Sequence, residues 1–222
     1  MRIVGSFVLL ALSVGAQAAS FDCAKAATST EKLVCANQRI SDLDEYLGRY
    51  YQTARAELGR GAACLAPNQR EWLRTVRNVC KDAKCLERVY LDRLAELDPL
   101  QPGATALKNE DLPDVKALVW AIAPELDQVA APPPKTHVPL VVTGRILEDA
   151  DGGNGFLIQD AKGARVILLP AMFIDKPNYM ALGGFAQEAP RTYEARGEAE
   201  SSGGQSHFSP AACRMIWRLP KK

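Results

Sequence analysis

Between residues 40 and 58 the apolar side chains Ile40, Leu43, Leu47, Tyr50, Tyr51, Ala54 and Leu58 recur at steps of three and four. That spacing lays them along one face of a helix. Asp42, Glu45, Arg49, Gln52 and Arg55 fall mostly elsewhere. Ser41-Asp42-Leu43-Asp44 offers an N-cap, and Gly59 and Gly61 mark an end. A second stripe, Trp72, Leu73, Val76 and Val79, follows Pro67-Asn68, which restarts the chain. A third helix opens at Cys85 with Leu86, Val89, Tyr90, Leu94 and Leu97 inward and stops at Asp98-Pro99. Ahead of these, Thr28 or Ser29 caps a short helix carrying Leu33, Val34 and Cys35. Amphipathic segments with short connections predict a small helical hairpin bundle.

The pattern then changes. Residues 100–137 form a proline-rich junction that closes on Pro132-Pro133-Pro134, a stiff extended spacer. Within it, Val115, Leu118, Val119 and Ile122 are compatible with one helix over 114–122. From Val138 the period becomes strand-like. Strands are predicted over 138–147, 156–159 and 166–169, with turns at Asp151–Gly155 and Lys162-Gly163. Residues 171–189 fit a loop and a short helix, and two further strands follow around Ser202-Gly203-Gly204. Three strands, an intervening segment and two strands is the order of a small OB-type barrel, and equally of other five-stranded barrels and meanders. The expected fold class is therefore α+β in two domains, helical bundle first and small all-β barrel second.

Met1–Ala18 reads as a secretory leader: Arg2, a nearly continuous apolar run over 3–14, and Ala16-Gln17-Ala18 as the cleavage site. The run is shorter than the roughly 20 residues a membrane span needs. The expected organisation is thus leader 1–18, helical domain 19–99, junction 100–137 and β domain 138–222, in the periplasm or secreted, without a membrane anchor once the leader is removed. Loss of Arg2 with the leader leaves 26 basic and 26 acidic residues. That balance gives no global attraction to nucleic acid or an acidic membrane.

In an exported chain, six cysteines read as disulfides before metal ligands. Cys23–Cys35 and Cys80–Cys85 are the simplest pairs, since both loops are short. A crossed arrangement joining the N-terminal segment to the hairpin is the competing map. Cys64 and Cys213 are then left over, either to join the two domains or as free thiols.

The ordered set Phe21-Asp22-Cys23, Glu31-Lys32-Leu33-Val34-Cys35, Leu43-Asp44, Leu47, Tyr50, Gln69-x-x-Trp72, Arg77, Cys80, Cys85-Leu86, Tyr90 and Arg93-Leu94 resembles the N-terminal domain of the LprI-type lysozyme-inhibitor family. The resemblance covers about Phe21–Leu97 and none of 138–222. It implies an exported, disulfide-stabilised helical domain and, as partner, a lysozyme or related muramidase. Cys64 and the β domain depart from the family's pattern.

Several residues carry two readings. Trp72 and Tyr90 are partner contacts or core aromatics, and their stripes favour the core. Arg70, Arg74, Arg77, Lys81, Lys84 and Arg88 form either a stripe for an anionic envelope component or a solvated face offset by Glu71, Asp82 and Glu87. The turn at Cys80–Cys85 breaks the line and favours the second. A cationic lysozyme calls instead for Asp42, Asp44, Glu45 or a loop carboxylate. Asp149, Asp151 and Asp160 make a poor calcium loop, because Gly153 stands at a ligand position and Asn154 where glycine is needed. His137 and His207 have no partner at a telling spacing, and no nucleophile elbow, P-loop or dinucleotide fingerprint occurs. The expectation is a binding protein, not an enzyme, with no cofactor or metal. It inhibits a muramidase by occluding the cleft, or else serves as an envelope-binding scaffold with the β domain as recognition unit.

Overall fold

A computed structural model describes residues 19–58, 62–122, 138–149, 155–169, 176–188, 190–202, 205–208 and 214–221. The leader, Gly59, Gly61, the triple proline, His137, Asp151 and Cys213 lie outside them. Helices come first: α1 (Ser29–Ala36), α2 (Gln38–Leu58), α3 (Ala62–Thr75) and α4 (Ala83–Leu97). Thr28 and Glu31 close a reciprocal capping box at the head of α1: the Glu31 amide donates to Thr28 Oγ1 and the Thr28 amide to Glu31 Oε2. These backbone bonds hold the Glu31 carboxyl below its ordinary pKa. Asn37 ends α1, and its side chain accepts the Ile40 amide at 3.2 Å. The second helix therefore starts earlier than Ser41, on Asn37 instead of the predicted cap. Asp82 caps α4 by accepting the Cys85 amide at 2.8 Å.

The apolar face predicted for α2 is buried at Ile40, Leu43, Leu47, Tyr50, Ala54 and Leu58, and Tyr51 is partly buried against it. Pro67 lies inside α3 and not ahead of it. A proline there forfeits a backbone bond, but the extra turns carry Cys64 and Leu65 into the core, where both are buried.

The segment after α4 is tied to the helices. Tyr50 donates its hydroxyl to Asp98 and accepts the Leu107 amide, at 2.8 and 2.7 Å. Gln101 donates to the carbonyls of Tyr50 and Leu97. Arg39 pairs with Glu87 and Glu110. Where a helix was compatible with 114–122, the structure has strand β1 (Ala117–Ile122). It pairs antiparallel with the last strand, β7 (Arg214–Arg218).

The remaining strands are β2 (Val138–Asp149), β3 (Gly155–Gln159), β4 (Arg165–Leu169), β5 (Tyr193–Ser202) and β6 (Gln205–Phe208), with helix α5 (Lys176–Gln187) between β4 and β5. The sheet runs β1-β7-β5-β2-β3-β4-β6, with β6 also paired to β5. Every pairing is antiparallel except β4–β6, which rests on one residue pair, Ile167 with His207. The expected closed barrel is therefore corrected to a seven-stranded sheet, two strands more than the sequence pattern counted. Its additions are β1 and β7, hidden in the supposed helix and in the single terminal strand. At Gly144 a side chain would stand 2.0 Å from the Gln159 carbonyl oxygen, so β2 can cross β3 there only as glycine. At the Lys162-Gly163 turn Gly163 has φ +87°, and Asp160 accepts the amides of Lys162 and Ala164. The Asp160 carboxylate thus serves a turn.

Two apolar clusters result. One, with Ile146, Phe156, Ile158, Tyr193 and Phe208, lies between the sheet and Leu182 of α5. The other is the helical core, and it includes Leu118 of β1 and Trp217 of β7. These two side chains join the sheet to the helices. Lys116 reinforces the seam by pairing with Glu194 and lying 5.2 Å above the Trp217 ring.

Candidate binding surface of the helical module

Two buried polar groups organise the helical module. Asp44, 3% exposed, sits on the inner face of α2. Its Oδ2 accepts the Ser20 amide and hydroxyl at 2.8 and 2.5 Å, and its Oδ1 accepts the Tyr90 hydroxyl at 2.6 Å. The Arg77 guanidinium stands 3.7 Å from the same Oδ1. Burial, then the neighbouring Asp44 charge, pushes the Tyr90 phenol far above its ordinary pKa, so the phenol stays a donor. Gly48, one turn beyond, leaves room for Ser20, whose Cβ would lie 3.1 Å from an added side chain.

The second group is Arg93, 1% exposed on α4. Its Nε and Nη2 donate to Gln69 Oε1 at 3.0 and 2.8 Å, Nη2 also to Asn68 Oδ1 at 2.8 Å, and Nη1 to Glu96 Oε2 at 2.7 Å. The guanidinium lies 5.8 Å from the Trp72 ring centre, and Trp72 meets Tyr90 edge-on at 5.8 Å. Burial raises the Glu96 carboxyl pKa against the opposing pull of Arg93. A buried cation is tolerable only with its donors satisfied and a counter-charge in reach, and α3 and α4 supply both. Gln69, Trp72, Arg77, Tyr90 and Arg93 are thereby joined in one interior network that also holds Asp44.

This settles several sequence readings. Trp72 and Tyr90 are core aromatics. Asp44 is enclosed, so of the three acidic candidates Glu45 is the exposed one; Asp42 is half-buried and accepts a bond from Gln38. The basic line is broken, as expected: Arg70, Arg74, Lys81, Lys84 and Arg88 are exposed, whereas Arg77 turns inward to Asp44. Cys23–Cys35 and Cys80–Cys85 are disulfides, with Cα atoms 5.7 and 5.5 Å apart. Cys64 is also disulfide-bonded, while Cys213 lies outside the described residues. The structural roles of Ser20 and Arg93 were missed. A signal for Arg93 was present, since an arginine three residues after Tyr90 on an apolar stripe needs acceptors, and Gln69 stands three before Trp72.

The motif residues leave two surface features. A concavity of about 710 Å3 lies between α2 and α3, with Leu47, Tyr51 and Leu73 as its apolar part and Glu45, Arg49 and Arg77 as polar lining. Arg77 also begins the tight turn Arg77–Val79 between α3 and α4. That turn is clamped from inside by Arg77 on Asp44 and closed behind by Cys80–Cys85. Val79, the last residue of that turn, is 57% exposed. The braced turn, the tip of the α3–α4 connection, thus presents one exposed apolar side chain and shares Arg77 with the neighbouring concavity. Among the described residues no cluster of His, Cys, Asp or Glu could hold a metal, and no helix is long and apolar enough to cross a membrane.

The helical module is braced by two short-loop disulfides, and comparison with known proteins finds relatives for part of the chain. The chain is 35% identical over 88 residues to Lipoprotein LprI of Mycobacterium bovis, and equally to that of two Mycobacterium tuberculosis strains. The match covers 38% of this chain and 43% of the relatives, so the chain spans less than half their length. No family model matches the chain. No solved structure matches it either.

Proposed function

We propose that this is an exported envelope protein that binds a lysozyme or related muramidase and inhibits it by covering the substrate cleft. The similarity to Lipoprotein LprI carries this reading, together with the resemblance of the Phe21–Leu97 motif to lysozyme inhibitors. The braced tip supports it physically. A concave cleft is blocked by a convex element already held in shape, because little ordering entropy is lost on docking. In this reading Val79 enters the cleft, and the Glu45 carboxylate meets the basic surface of a cationic lysozyme beside it. Val79→Asp is expected to weaken binding to a lysozyme by about tenfold or more, with an unchanged unfolding midpoint, as measured by titration calorimetry. Equal affinity of the variant and the parent would remove the tip from the contact.

We further propose that Cys64 pairs with Cys213, the one cysteine not otherwise accounted for, so that a covalent link ties α3 to the segment before β7. Peptide mapping without reductant is expected to recover a fragment containing both residues; a free Cys213 thiol would refute the link.

A further inference from the structure

The C-terminal half carries a cavity that the inhibitor reading does not use. It has a volume of about 740 Å3 and opens between β2, the α5–β5 connection and the end of β7. Among the described residues its charged lining is Arg191, Arg218 and Lys221 against a single carboxylate, Glu188. Glu188 already accepts the Tyr193 hydroxyl at 2.8 Å. Arg191 Nη1 is buried and has no hydrogen-bond partner among the described residues. A guanidinium donor removed from water and left unpaired is unfavourable. The cavity lined by the same residue carries an excess of positive charge among its described residues. Thr143 and Thr192 add hydroxyls to the wall, and the rest is proline and leucine.

We propose that this cavity binds a small anion, a phosphate or a carboxylate, through Arg191, Arg218 and Lys221. Arg191 lines the cavity, and the planar fork of a guanidinium takes two oxygens of such a group at once. Arg218 and Lys221 provide further positive charge. The threonine hydroxyls and the apolar wall suit a polyol or sugar that carries the anionic group. Glu188 fixes the orientation of Tyr193 and sets a repulsive limit on one side. The site lies on the sheet and stands whether or not the helical module inhibits a muramidase.

Titration calorimetry of the exported chain with inorganic phosphate and with glucuronate tests this. Saturable binding of at least one probe is expected, weakening as salt is raised. Saturation by phosphate alone assigns a phosphorylated ligand, and by glucuronate alone a carboxylated one. Arg191→Gln and Arg218→Gln should each weaken binding by about tenfold or more. Glu188→Gln should strengthen it, and Arg74→Gln, on the exposed face of α3, should leave it unchanged. Unfolding midpoints identify which variants are folded; if Arg191→Gln is not, Arg218→Gln and Lys221→Gln decide. The assignment is overturned if neither probe saturates below roughly 10 mM, or if the folded arginine variants bind as tightly as the parent.

Discussion

Replacing Arg93 by alanine is expected to lower the unfolding free energy by about 3–5 kcal/mol, the range for removing one partner of a buried ion pair. Three acceptors lose their donor together: the buried Gln69, the half-buried Asn68 and Glu96. Glu96 loses its counter-charge where burial already disfavours the ionised form, and Trp72 loses the cation beside its ring. Arg93→Lys should recover only part of the loss, because an ammonium cannot reach Gln69, Asn68 and Glu96 in the geometry of the planar fork. Urea unfolding followed by tryptophan fluorescence measures both. A loss below about 1 kcal/mol for the alanine variant would place the network among ordinary surface pairs.

Asp44→Ala is expected to cost about 2–4 kcal/mol, since it strands the buried Tyr90 hydroxyl and releases Ser20. The two effects separate in a double-mutant cycle. In a Tyr90→Phe background the Asp44 substitution should cost less by about 1–2 kcal/mol, because the donor it would orphan is gone. Fully additive losses would show that the two groups do not act through their 2.6 Å bond. Asp44→Ala also has a functional signature. It frees Arg77, the inner clamp of the tip, so a variant that still folds should release a lysozyme faster while associating at a similar rate.

Much of the helical module was legible in the sequence because a helix face repeats along the chain. The stripe from Ile40 to Leu58 reads directly as the buried face of α2, and Trp72 and Tyr90 fall where their stripes put them. The two short-loop disulfides were legible for a similar reason, since their partners are near in sequence. What failed depended on distant partners. The apolar residues of 115–122 satisfy a helical spacing, yet Ala117 and Leu118, adjacent in sequence, are both buried. A strand buried on both faces permits that, with Leu118 in the helical core. A six-residue apolar run does not carry that information. The candidate site was half legible. Most of the motif residues build the interior, and Val79 stands exposed at the end of the stripe of Trp72, Leu73 and Val76. Asp44 was misplaced for the opposite reason: an acidic residue on a polar-looking stretch turned out to be the acceptor around which Ser20, Tyr90 and Arg77 gather.

The most direct test of the account is the rate of cell-wall lysis, followed by turbidity, with the purified chain lacking residues 1–18 added in excess to lysozymes of the main classes. Slowed lysis by at least one of them is predicted, with the slowing lost on Val79→Asp while the fold is retained. Unchanged lysis by every lysozyme at saturating protein would contradict it.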